Sequence, residues 1–147
     1  MKKIIFSLLI LVSINVVDAS TLSPDKDKNI PAAVVSYIKT HYPNATHIHW
    51  KKSKTNMYEA DFLVDGKEIL VDIFANGEWI ETETEITSKD LPQIVLAKLG
   101  DSKIIFAAKV DNFQGEELYV AEVKQNKKLY DITFDHQGNE IERHSID

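Results

Sequence analysis

The chain has 147 residues, no cysteine and a formal net charge of -6. Without cysteine there are no disulfides and no thiolate metal sites, so stability has to come from packing. The acidic balance argues against nucleic acid and against anionic membrane surfaces, whose phosphates select Lys and Arg, and favours basic partners or cations.

Met1, Lys2 and Lys3 make a positive start, and Ile4 to Val17 is apolar apart from Ser7, Ser13 and Asn15. That run is shorter than the roughly 20 apolar residues of a membrane span, and Val17-Asp18-Ala19 offers a cleavage site. Residues 1–19 therefore read as a secretory signal peptide, which predicts a periplasmic or secreted protein with no membrane attachment after cleavage. Ser20 to Asn29 is polar and aperiodic, and residues 20–29 read as a flexible leader. Removing residues 1–19 leaves 128, enough for one core or for two small cores under a shared sheet.

Pro31 suits the first turn of a helix, and Val34, Ile38 and His41 recur at helical spacing until Pro43 stops the pattern. From Thr46 the period becomes two. Thr46, Ile48 and Trp50 alternate with His47, His49 and Lys51, and Tyr58, Ala60, Phe62 and Val64 alternate with Glu59, Asp61, Leu63 and Asp65. Asp65-Gly66 and Asn76-Gly77 are hairpin signals. Ile69, Val71, Ile73 and Ile80 continue the inward set, while Trp79, Glu81, Glu83 and Glu85 are expected to point the other way. Residues 30–86 thus predict one helix followed by a four-stranded antiparallel meander.

Residues 87–147 repeat the plan. Tyr58 to Glu81 returns without a gap as Tyr119 to Glu142, sixty-one positions later, and Pro31, Val34 and Ile38 return as Pro92, Val95 and Leu99. Gly100 suits a helix C-terminus. Asn126-Lys127 and Gln137-Gly138 hold the turn positions. The register of the strand from Ile104 to Val110 stays open, because two alternating apolar sets compete there. The expected fold is α+β, one globular domain in which a tandem repeat of helix plus four-stranded meander builds a continuous sheet with both helices on one face.

These residues resemble a known family. Ile30-Pro31 opening a short helix, Tyr42-Pro43-Asn44-Ala45 closing it, Trp50 ending the first strand, and two hairpins leading to Asn76-Gly77-Glu78-Trp79 are similar to the PepSY-like, β-lactamase-inhibitor-protein-like periplasmic domains of Bacteroidota. The resemblance spans Ile30 to about Ile146. It implies an exported, non-enzymatic binding module that inhibits or modulates a protein such as a peptidase, with no catalytic residues and no cofactor. At the constant offset Trp50 falls on Asp111 and Trp79 on Glu140, so a site built on the tryptophans would belong to the first repeat.

No Gly-rich phosphate loop, cysteine nucleophile or G-x-S-x-G elbow is present. On the sheet face opposite the helices, Glu59, Asp61, Asp72, Glu81, Glu83, Glu122, Asp131 and Glu142 should project together with Leu63, Leu70 and Trp79. Acids ringing apolar groups, with Trp79 as anchor, predict a partner-binding surface formed by Trp79, Leu63, Leu70, Glu59, Asp61, Asp72, Glu81 and Glu83; the plain reading is a solvated acidic face. The alternative function is a periplasmic small-ligand or metal-cation sensor using His47 and His49, whose i, i+2 spacing on a strand would put both imidazoles on one face.

Overall fold

A computed structural model describes residues 29–52 and 56–146. The expected signal peptide and all of the leader except Asn29 lie outside the described residues. The elements run α1 (Ala32–His41), β1 (Thr46–Lys52), β2 (Met57–Val64), β3 (Lys67–Phe74), β4 (Trp79–Glu85), a 3-10 turn (Ser88–Asp90), α2 (Gln93–Leu99), β5 (Lys103–Asn112), β6 (Glu117–Gln125), β7 (Lys128–Asp135) and β8 (Glu140–Ser145). The eight strands form one sheet in sequence order, every neighbouring pair antiparallel.

Both helices start at a proline whose carbonyl takes the first backbone bonds: Pro31 accepts from Val34 and Val35, and Pro92 from Val95 and Leu96. A proline loses nothing there, since the first amides of a helix have no intrahelical acceptor. The helix α1 stops before Pro43, and α2 stops at Gly100, whose φ is 56.

Cross-strand register shows that the helices share a face. Phe62, Ile69, Thr84, Lys109, Tyr119 and Phe134 lie directly opposite one another from β2 to β7. Phe62 packs in a cluster with Val34 and Ile38 of α1, and Phe134 in a second cluster with Val95 and Leu99 of α2. Each helix thus seals one half of one sheet face, with Ala60, Val71 and Ile73 in the first core and Ala121, Val123 and Ile132 in the second. Burying each phenylalanine contributes about 1.5–3 kcal/mol, which lets two seven- to ten-residue helices hold without long intrinsic helicity.

Turn chemistry sorts the hairpins to two ends of the sheet. Asp65-Gly66 and Asn126-Lys127 have positive φ at both positions and close two-residue hairpins. At the other end, the loops at 75–77, 113–115 and 136–138 each carry their single positive φ on the last residue, Gly77, Gly115 or Gly138, so they are three-residue turns ending in glycine. Asn76-Gly77 and Gln137-Gly138 are therefore turn residues of a different type from Asp65-Gly66.

Two bulges change the expected facing. In the β3–β4 pair, Asp72 lies opposite Glu81 but Ile73 lies opposite Trp79, leaving Ile80 as an extra residue. The extra residue flips the side chains before it. Trp79 therefore lies on the helix face, where it packs against the first core and its indole N–H donates to Thr82 Oγ1 at 2.9 Å. The expectation that Trp79 stands among the acids is corrected accordingly. The same bulge recurs at Ile141, between Thr133↔Glu142 and Phe134↔Glu140.

The register of β5 is fixed by Ala107 opposite Ala121, while Trp50 lies opposite Ala60. Ala60 and Ala121 are equivalent in the repeated sequence, so Trp50 corresponds to Ala107 and not to Asp111. Ile105 is the unpaired residue of a β5 bulge, which is why two alternating apolar sets coexist in that strand.

Candidate binding face

The face without helices is organised in cross-strand rows. One runs Lys51, Glu59, Asp72, Glu81, Asn112 from β1 to β5. The next runs His49, Asp61, Leu70, Glu83, Val110, Leu118 from β1 to β6. Leu63 lies opposite Glu68 in a third row, and Glu68 N–H donates to Glu85 Oε2. Of the predicted partner-binding residues, Leu63, Leu70, Glu59, Asp61, Asp72, Glu81 and Glu83 are brought together on this face, and Trp79 is not.

The face has an apolar floor of which sequence reasoning found only Leu70. Ala108, Val110, Leu118, Met57 and Leu70 are buried, Ala108 completely, although neither α1 nor α2, the helices among the described residues, lies on this face. A sheet that curves its helix-free face inward accounts for this burial. The same curvature explains how Asp131 on β7 acts on Glu83 on β4, since three strand spacings on a flat sheet would hold them about 14 Å apart. Once β5 is in register, the signal is plain: Phe106, Ala108 and Val110 take this face and Ala107 the other.

Carboxylates set in that floor are uncomfortable as anions. Asp72, only 7% exposed, is pushed up to about 7, first by burial and then by the charges of Glu81 and Glu59, with Lys51 partly offsetting them. Glu83 is pushed up to about 8, first by burial and then by Asp131, Glu81, Glu68 and Asp72. It keeps some contact with solvent, so crowding by surrounding atoms and charges, more than complete occlusion, drives the shift. Burial also raises Glu59, Asp61, Glu68, Glu81 and Glu122. The attenuating cations are Lys51, 3.7 Å from Glu59, and His49 beside Asp61. Among the described residues no hydrogen bond or ion pair satisfies the carboxyl groups of Asp72, Glu81 or Glu83. Further along, Glu142 Oε1 is 2.6 Å from His144 Nε2 while its Oε2 is buried without a hydrogen bond.

The histidines do not share one regular strand face. His47 has φ 57 within a β1 irregularity that separates Thr46↔Leu63 from His49↔Asp61. Among the described residues, no group of three or more His, Asp or Glu is arranged to hold a metal ion. Nor is any helix among them long and apolar enough to cross a membrane.

Comparisons with known proteins agree on the family. The family model described as "Putative beta-lactamase-inhibitor-like, PepSY-like" matches residues 21–72 and 55–142. A BLIP-like protein from Bacteroides fragilis is 30% identical, with a TM-score of 0.62 over 82% of this chain and 92% of that one. A DUF2874 family protein from Bacteroides uniformis is 22% identical, with a TM-score of 0.69 over 79% of this chain and 89% of that one. A protein from Bacteroides eggerthii described as a putative periplasmic protein is 23% identical, with a TM-score of 0.71 over 78% of this chain and 88% of that one. The search of curated proteins returned no match. With a family match spanning most of its length and an ordered helix-plus-meander plan to go with it, the chain belongs to the PepSY-like, β-lactamase-inhibitor-like family.

Proposed function

We propose that this protein is an exported, non-enzymatic binding module that lays its curved, helix-free face on a basic segment of a protein partner and thereby inhibits or modulates it. The observation that carries the reading is the pair Asp72 and Glu83, two crowded carboxyls on a helix-free apolar floor with no cation in contact with them among the described residues. A partner's Lys or Arg supplies the missing charge, and closure over the floor removes apolar surface from water. Family membership supports a binding role, and the description of the Bacteroides fragilis relative as BLIP-like points toward enzymes as partners. The two helix-plus-meander halves are read as a tandem repeat that built one broad face, residues 30–86 giving the acidic half and 87–147 extending it. The periplasmic description of the Bacteroides eggerthii neighbour and the signal-like start favour an exported location.

The test is inhibition. The mature chain is titrated into exported peptidases and β-lactamases, and residual activity is followed beside Glu83→Lys and Glu81→Lys variants checked for folding by circular dichroism. Saturable inhibition of at least one enzyme, lost in the charge-reversed variants, is expected. Inhibition that persists unchanged in both variants removes this face from the account.

A further inference from the structure

The hairpin joining β5 to β6 is built differently from its counterpart. Five residues separate Lys52 from its partner Tyr58, whereas nine separate Lys109 from its partner Tyr119. Two extra residues per strand at about 3.4 Å each carry the tip about 7 Å further than a hairpin of the first length would reach. At that tip sits Phe113, 64% exposed, more than any other large apolar side chain among the described residues.

The tip is also held rigid. Asn112 Oδ1 accepts from the backbone N–H groups of Gln114 and Glu116 at 3.1 and 3.0 Å, its amide donates to Glu116 Oε2 at 3.0 Å, and Phe113 N–H donates to Ile80 O at 2.8 Å. A loop held this way loses little freedom on binding, so an exposed aromatic there contributes more of its contact energy. The sister loops lean on helices: a Cβ at Gly77 would come within 3.1 Å of Ala33, and one at Gly138 within 2.8 Å of Ile94. A Cβ at Gly115 would meet nothing within 4 Å, so this loop stands clear. Phe74, also exposed, ends β3 at the same end of the sheet.

Charge surrounds the tip. Glu81 lies opposite Asn112, and Asp111, Glu116 and Glu117 flank it, with Lys109 bridging Asp111 at 3.3 Å and Glu117 at 2.8 Å. Among the described residues neither Glu81 nor Glu116 forms an ion pair with a cation. An aromatic standing out of a net acidic rim is complementary to an apolar side chain next to Lys or Arg, since the ring faces a cation favourably as well.

We propose that the β5–β6 hairpin is a second docking element, with Phe113 the anchor that takes an apolar residue adjacent to an Arg or Lys on the same protein partner that covers the acidic face. This rests on the binding role proposed above, and the assay separates the two. A fluorescent peptide of Gly-separated Arg-Leu units is titrated by anisotropy against the mature chain, Phe113→Ser, Phe113→Trp, Glu83→Lys and Asn112→Ala, with a Gln-Leu peptide and phosphatidylcholine vesicles as competing surfaces. Binding of the Arg-Leu peptide that falls at least tenfold in Phe113→Ser, several-fold in Asn112→Ala and is kept in Phe113→Trp supports the hairpin. Equal binding by Phe113→Ser with loss in Glu83→Lys overturns the hairpin and leaves the face standing; the converse pattern overturns the face and keeps the hairpin. No binding by the unaltered chain, or equal binding of the Gln-Leu peptide, overturns both. Phe113-dependent binding to the vesicles in place of the peptide overturns the protein partner in favour of lipid.

Discussion

Replacing Glu83 by Gln should stabilise the protein, and more so as pH rises. Glu83 ionises near 8 in the folded chain and near its ordinary 4.5 when unfolded. The folded state therefore holds a proton that the unfolded state gives up between those values. Stability from this group is fully present below about 4.5 and is lost as pH rises through about 8. At about 1.4 kcal/mol per pH unit the span bounds the loss near 5 kcal/mol. Relaxation of the sheet and the high effective dielectric near a surface reduce it to about 2 kcal/mol. For a domain of this size that is about 8 °C in Tm. Asp72, raised to about 7 by the same crowding, adds to the slope. Thermal unfolding of the mature chain and Glu83→Gln, followed by circular dichroism from pH 4 to 9, should show the native Tm declining toward alkaline pH. The two curves should separate by roughly 8 °C at the alkaline end and nearly merge at the acid end. A native Tm that climbs between pH 5 and 8, or a Gln variant that tracks it at every pH, would refute the reasoning that these carboxyls are crowded rather than solvated.

Other perturbations test separate parts of the fold. Gly138→Ala meets both a φ of 77 and the Ile94 side chain, so it should cost about 2–4 kcal/mol in urea unfolding, against about 1–2 kcal/mol for Gly115→Ala, where only φ opposes it. Equal losses would contradict the packing of the β7–β8 loop on α2. Thr82→Val removes the acceptor of the Trp79 indole and the partner of Tyr42 OH at 3.2 Å, and should cost about 1–2 kcal/mol and shift tryptophan emission. An unchanged spectrum would place Trp79 back in solvent. Zinc or calcium at millimolar concentration should leave the Tm of chelated protein unmoved, because His47 and His49 do not share a regular strand face; a rise of several degrees would restore the cation-sensor alternative.

The strands were legible because their burial alternates. Tyr58, Ala60 and Phe62 face a helix core and Glu59, Asp61 and Leu63 do not, a pattern period-two reading captures directly. Trp79 escaped because a bulge adds a residue without changing composition: Trp79-Ile80-Glu81 reads as a continuous alternation whether or not Ile80 is paired. Glu140, standing where the first half has Trp79, carried a hint, since that position accepts either a large apolar or a charged side chain at the sheet margin. The β5 register was illegible for a related reason, with Ile104 and Ile105 adjacent and only the first paired. The curvature that buries Ala108 was not legible at all, because it follows from eight strands acting together rather than from any local run.

The acids of the open face are not imposed by the fold. Strand β4 reads Trp-Ile-Glu-Thr-Glu-Thr-Glu, and its register sends Thr82 and Thr84 to the helix side and Glu81 and Glu83 to the other. The same face accepts the neutral residues Asn112, Val120 and Thr133 at neighbouring positions, so neither size nor β propensity requires carboxylates. Like charges directly across a strand pair destabilise, yet Glu59, Asp72 and Glu81 stand in one unbroken row on three strands with Lys51 only at its margin. A sequence selected for packing alone would relieve that row with Thr or Gln and gain stability. Where local choices oppose the fold's own stability and nothing within the fold compensates, the compensation is expected from outside it. A cationic segment on the partner proposed above would turn the row's repulsion into attraction without altering a residue.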